Sequence, residues 1–140
     1  LGFNYRMPDI LCVLGSSQMK RISQNLNRRR EIAKTYFESL SGVGDLILPP
    51  QNSPEHAYHL FVVRTQKRLE LYNFLREAGV FCQVHYIPVY KFPYYKNLYG
   101  NMELHNAEKF YSTCLSLPMF HSLKVEDQDY TIRKIKEFFS

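Results

Sequence analysis

The chain has 140 residues, 45% hydrophobic and 22% charged, a composition that suits a globular domain with a modest core and excludes a disordered or low-complexity chain. The net charge of +5 is spread among residues of both signs, which argues against a nucleic-acid surface, and no apolar run is long enough to cross a bilayer. Cys12, Cys82 and Cys114 are widely spaced and form neither a CxxC pair nor a Cys/His metal pattern, so reduced, mostly buried thiols in a cytoplasmic protein without a metal site are expected.

Residues 1–7 read as extended and polar, and the absence of an initiator Met before Leu1-Gly2-Phe3 suggests a piece of something longer. Pro8 suits the first turn of a helix. From there Ile10, Leu14, Ile22, Leu26, Ala33, Phe37 and Leu40 recur at helical intervals, with Gly15 where a neighbour approaches closely. The spacing predicts one long helix, or two with a bend, stopped by Ser41-Gly42-Val43-Gly44. Lys20, Arg21, Arg28, Arg29, Arg30 and Lys34 lie along it. Glu31 and Glu38 interrupt them, so a solvated helix face is expected rather than a phosphate-binding patch.

A short apolar run and a Pro-Pro loop over Asp45–Ser53 precede a predicted strand, His56–Arg64, rich in aromatic and β-branched residues. Gln66–Ala78 reads as a helix with Leu69, Tyr72 and Leu75 inward and Gly79 as its stop. Val80, Cys82 and Val84 then alternate with Phe81, Gln83 and His85, the pattern of a strand that must end by Pro88. An aromatic loop follows, with Tyr90, Phe92, Tyr94, Tyr95 and Tyr99. So many amphipathic rings beside a strand end make a wall for a large polar ligand, or simply cover a small core. His85, likewise, reads either as a binding group or as a hydrogen-bonded structural histidine. Leu104, Ala107, Phe110, Tyr111 and Cys114 share a predicted helix face, broken by Ser116-Leu117-Pro118. A final helix carries Ile132, Ile135 and Phe139, with Glu126 and Asp127 near its start and Lys134 and Lys136 near its end, an order that suits the helix dipole.

Six segments stand in a fixed order: Gly2-Phe3-Asn4-Tyr5-Arg6-Met7, Leu14-Gly15-Ser16-Ser17-Gln18, Arg28-Arg29-Arg30-Glu31-Ile32-Ala33, His56-Ala57-Tyr58-His59-Leu60-Phe61, His85-Tyr86-Ile87-Pro88 and Leu115-Ser116-Leu117-Pro118. This series resembles the C-terminal part of the DegT/StrS family of nucleotide-sugar aminotransferases, which use pyridoxal phosphate. The resemblance implies an α+β fold. Residues 1–42 would be an interdomain, dimer-forming segment with a long helix. Residues 43–140 would be the small C-terminal domain of a fold type I transferase, a small, mostly antiparallel sheet covered by helices. It also implies a homodimeric enzyme that moves an amino group from an amino acid, usually glutamate, to a 4-keto nucleotide sugar for surface glycans, without nucleic-acid or membrane partners.

Asn4 stands where the family's asparagine reaches across the dimer to the cofactor phosphate, and an amide donates to phosphate without adding charge. Arg6 either helps to bind an anionic group there or pairs with a carboxylate to fix the turn. The resemblance puts His85, Tyr86, Ile87 and Pro88 in the nucleotide-sugar pocket, with Tyr94 a candidate for the same wall. Two departures stand out: Tyr90 occupies a place where many relatives carry His, and Lys124 stands near the usual cap of the last helix, with Ser122 a candidate substitute. None of the lysines here sits in the family's Schiff-base motif, so no catalytic residue is assigned and the chain alone is expected to be inactive. Two alternatives remain open at this level. Some family members carry histidine in place of that lysine and dehydrate sugars, and a binding or regulatory module would use the basic helix against nucleic acid or a partner.

Overall fold

The computed structural model describes residues 5–51, 53 and 55–140. The periodicity after Pro8 resolves into two helices, α1 (Asp9–Met19) and α2 (Ile22–Leu40), separated where Arg21 leaves the helical region at φ −110° and ψ 2°. Apolar residues three or four apart give α2 one buried face, formed by Ile32, Ala33, Tyr36, Phe37 and Leu40. On α1 nothing is buried. Ile10 and Leu14 are exposed, and a Cβ added at Gly15 would meet nothing within 4 Å, so no other part of the described chain packs against that glycine.

The remaining elements are β1 (Phe61–Arg64), α3 (Arg68–Glu77), a 3₁₀ turn (Val89–Lys91), α4 (Pro93–Tyr99), α5 (His105–Thr113), β2 (Cys114–Leu117) and α6 (Val125–Phe139). β1 and β2 pair antiparallel, with Phe61 opposite Leu117 and Arg64 opposite Cys114. Single bridges widen this layer, from Ile47 to Arg64 on one side and from Gln83 to Ser116 on the other. The result is an α+β fold, a small antiparallel sheet covered by helices.

The core lies between the sheet and α2, α3 and α6. The Phe61 ring sits 5.0 Å from Tyr36 and 4.9 Å from Phe37, while α3 contributes Leu71 and Leu75, and α6 contributes Ile132 and Ile135. Each such side chain, fully buried, stabilises the fold by roughly 1.5–3 kcal/mol, so this cluster outweighs any single polar tie. Polar groups inside are paired. The Tyr36 hydroxyl donates to the Pro118 carbonyl at 2.9 Å, and burial pushes its pKa well above the ordinary value. Gln128 Nε2 donates to the Ile32 carbonyl at 2.8 Å and joins α6 to α2.

Several expectations are corrected. The strand expected over His56–Arg64 contracts to β1, because Tyr58 adopts φ +45° and its N–H donates to His56 Nδ1 at 2.9 Å, folding the preceding residues into a turn. The helix expected over Gln66–Ala78 starts later, since the Gln66 and Lys67 amides donate to Asp45 and Thr65 side chains. Its buried residues are Leu71 and Leu75, and Tyr72 is half-buried against the core, whereas Leu69 is exposed. Gly79 does stop it, at φ +79°. The run Val80–Pro88 is not a strand. Val80 and Cys82 are buried, but only Gln83 bridges to the sheet. The aromatic loop contains α4, and the helix expected to reach Cys114 ends at Thr113, with Leu104 and Phe110 exposed. Cys114–Leu117 forms β2, and its four side chains are all buried, as in a strand covered on both faces.

Cys82 and Cys114 are buried, and desolvation pushes the Cys82 thiol up to about 12; Cys12, by contrast, is exposed. Arg28, Arg29 and Arg30 of the basic cluster do not form a solvated face. Arg29 Nη1 donates to the carbonyls of Tyr58, His59 and Met119 at 3.0–3.1 Å. Arg28 donates to Leu123, and Arg30 to Glu55 and His56. These guanidinium groups fasten the connections 55–59 and 119–123 to α2, whereas Lys20, Arg21 and Lys34 are exposed.

Candidate functional site

The bridge between Gln83 and Ser116 is a reciprocal pair of backbone hydrogen bonds, 3.1 Å and 2.8 Å long. It delivers the chain to His85, whose Nδ1 lies 2.8 Å from the hydroxyl of buried Ser116. A half-buried imidazole held on one nitrogen has its other nitrogen available for a ligand. The His85–Tyr86 peptide is cis, and the Tyr86 ring meets the imidazole edge-on at 4.7 Å. Tyr86 is 74% exposed, Ile87 is exposed and Pro88 is half-buried. His85 to Pro88 therefore form a short wall with a fixed base.

The 3₁₀ turn that follows is tied to α5. The Tyr90 hydroxyl donates to Glu108 Oε1 at 2.8 Å, and Lys91 Nζ pairs with Glu108 Oε2 while lying 5.5 Å from the Tyr111 ring. Lys91 and Tyr90 together hold the Glu108 carboxyl below its usual range; desolvation and Glu108 raise the Tyr90 phenol. On α4, Tyr94 is 70% exposed and meets Tyr95 edge-on at 5.2 Å. Tyr95 and Tyr99, one helical turn apart, lie parallel with ring centres 6.5 Å apart. Beside the wall, a shallow cleft of about 310 Å³ is lined by Arg68, Tyr72, Gln83, Ile87 and Tyr111 among others.

His85, Tyr86, Ile87 and Pro88 thus stand together, and Tyr94 stands on the helix beyond the turn. Arg6 is exposed ahead of α1, while Asn4 lies outside the described residues. Sequence reasoning did not pick out Ser116, Glu108 or Lys91 for this site. Ser116 lies 31 positions from His85 and Glu108 lies 18 from Tyr90. The available signal was the strand-length apolar run Cys114–Leu117 before Pro118, which would have placed Ser116 in the sheet. Chemically the site offers imidazole, phenols and a guanidinium, groups that recognise hydroxyls and phosphate. Every lysine of the chain is exposed or half-buried, and none is buried.

The family model described as the DegT/DnrJ/EryC1/StrS aminotransferase family matches residues 1–136. A UDP-4-amino-4,6-dideoxy-N-acetyl-beta-L-altrosamine transaminase from Campylobacter jejuni is 38% identical over 136 residues, which cover 93% of this chain and 36% of that protein. Helicobacter pylori PseC, an aminotransferase involved in pseudoaminic acid biosynthesis, superposes with a TM-score of 0.89 at 27% identity, over 99% of this chain and 39% of its own. Bacillus subtilis NtdA, solved with bound cofactor PMP, superposes with a TM-score of 0.87 at 28% identity, over 99% of this chain and 34% of its own. The chain spans little more than a third of the length of these relatives.

Proposed function

The chain belongs to the DegT/DnrJ/EryC1/StrS aminotransferase family, and from that premise we propose that it forms the nucleotide-sugar-facing part of a pyridoxal-phosphate-dependent aminotransferase. The reaction moves an amino group from an amino acid, glutamate in our reading, to a 4-keto sugar carried on a nucleotide, in pseudaminic acid or related surface-glycan synthesis. The relatives' names support this substrate class. The enzyme is a cytoplasmic homodimer in this reading. Residues 1–42 form its dimer-forming segment and residues 43–140 its small domain.

One observation carries the proposal: His85, held on buried Ser116, stands at the base of an exposed run of apolar and aromatic side chains. A nucleotide sugar presents hydroxyls, a pyrophosphate and flat rings. An imidazole nitrogen and phenolic hydroxyls match the first, and the faces of Tyr86 and Tyr94 match the last. His85, Tyr86, Ile87, Pro88 and Tyr94 are assigned to that substrate. Asn4 and Arg6 are assigned to the phosphate of the cofactor in the neighbouring subunit.

Pyridoxal phosphate supplies the electron sink for amino transfer when bound. The lysine that holds such a cofactor must be enclosed with it. No buried lysine exists here, and Lys34, Lys91 and Lys134 are paired with glutamates. None of the lysines stands in the family's Schiff-base motif, so no chemical step is routed through them and the chain alone is inactive in this reading. The test supplies a UDP-linked 4-keto-6-deoxy sugar, glutamate and pyridoxal phosphate to the intact protein and to the 140-residue chain. Amino-sugar formation is expected from the first alone, with Tyr86→Ala raising KM for the nucleotide sugar about tenfold, the loss of roughly 1.4 kcal/mol. Turnover by the chain alone, or an intact protein indifferent to nucleotide sugars, overturns the reading.

A further inference from the structure

Apolar burial does little to hold the segment between His85 and α5. Every residue from Phe92 to Asn106 is exposed, so polar ties must decide where this segment stands. One end is set by His85 on Ser116. The other tie centres on one carboxylate: Glu108 of α5 takes the Tyr90 hydroxyl on one oxygen and the Lys91 ammonium on the other, with Lys91 also 5.5 Å from the Tyr111 ring. Tyr90 and Lys91 are consecutive in a 3₁₀ turn, where successive side chains point about 120° apart. Both reach one carboxylate in only a narrow range of turn orientations, so the pair fixes rotation as well as distance. The side chains of Lys91 and Glu108 are each about one-third exposed, and bonds between charged partners at such a site are stronger than neutral ones.

We infer that Glu108 is a positioning residue: it fixes the turn between Pro88 and α4, so that His85–Pro88 and Tyr94 face a nucleotide sugar together. This rests on the nucleotide-sugar reading above for its ligand, but its mechanical part stands on the hydrogen bond and ion pair alone.

The experiment uses the intact protein and its Glu108→Ala, Glu108→Gln and Tyr90→Phe variants, with two readouts. The first is the rate of tryptic cleavage after Lys91 and Lys96, the second the separate KM and kcat for the UDP-linked 4-keto sugar. Glu108→Ala is expected to speed both cleavages and raise KM, each by about tenfold, as the loss of a charge-assisted tie implies, with a smaller effect on kcat. Glu108→Gln retains an acceptor for Tyr90 and should recover part of both effects, while Tyr90→Phe should fall between. Unchanged cleavage in all three variants overturns the proposal, as does a KM effect without a cleavage effect, which would mark Glu108 as a direct contact. Failure of the wild type to use nucleotide sugars would sink the functional reading and leave cleavage to decide the positioning role. Should Glu108→Ala fail to fold, the two milder variants decide it.

Discussion

Arg29 shows how one side chain replaces an element of secondary structure. Its Nη1 serves carbonyls at Tyr58, His59 and Met119, in connections 60 residues apart that have no ladder of their own. Arg29→Ala should cost about 2–3 kcal/mol in urea unfolding, the penalty for partly buried acceptors left unmet. Arg29→Lys should recover only part, because an ammonium cannot match a planar fork. Asp45 offers a pH-dependent test. Desolvation raises its pKa, but the Thr65 hydroxyl, the Gln66 amide and Lys67 outweigh that and leave it below the ordinary value. A carboxyl with a depressed folded pKa stabilises the fold fully above its unfolded value of about 3.9, and that contribution fades as pH falls through the folded pKa. The stability gap between wild type and Asp45→Asn should therefore be constant near pH 6–7 and shrink on acidification below about pH 4. A gap independent of pH would exclude this role.

Among the elements, the final helix illustrates what a missing cap costs. Lys124 holds the N-cap position of α6 with extended backbone angles, φ −70° and ψ 151°, yet no side chain caps the helix. Ser122, the substitute suggested by the sequence, stands two residues too early. The first turn already carries Glu126 and Asp127, so a small hydroxyl at the cap adds a hydrogen bond without further charge. Lys124→Ser should stabilise the chain by about 0.5–1 kcal/mol and raise Tm by about 2–4 °C, measured by thermal unfolding. α2, α3 and α6 were legible in the sequence because each buries one stripe and exposes the rest, which writes a 3.6-residue period. β2 was not. Its four side chains are all buried, so no alternation marks it, and it follows α5 without a turn.

For the whole molecule, the distribution of exposed apolar surface matters most. Ile10, Val13, Leu14 and Met19 on α1, Tyr86, Ile87 and Tyr94 of the proposed wall, and Leu98 and Tyr99 on α4 all face solvent. Apolar surface on this scale favours association. The chain alone is expected to self-associate with rising concentration in sedimentation or sizing experiments. Leu14→Glu should weaken that association with little effect on stability, since Leu14 is itself exposed and α1 buries no side chain. A clean monomer at high concentration would contradict this.

The ordered motifs named the family, and the helical stripes located most of the core, because both are local signals carried by neighbouring residues. The sequence also drew attention to His85, Tyr86, Ile87, Pro88 and Tyr94 as one stretch. It had no means of pairing His85 with Ser116, Tyr90 and Lys91 with Glu108, or Arg29 with two distant connections. Those partners meet only after the sheet brings Gln83 beside Ser116 and α5 packs beside the turn. A hydrogen bond depends on distances within about 3.5 Å, and such distances between remote residues are set by packing rather than by spacing along the chain. Tertiary structure therefore decided that the arginines fasten loops, that Val80–Pro88 is an anchored edge instead of a strand, and that α1 buries no side chain in this chain's core.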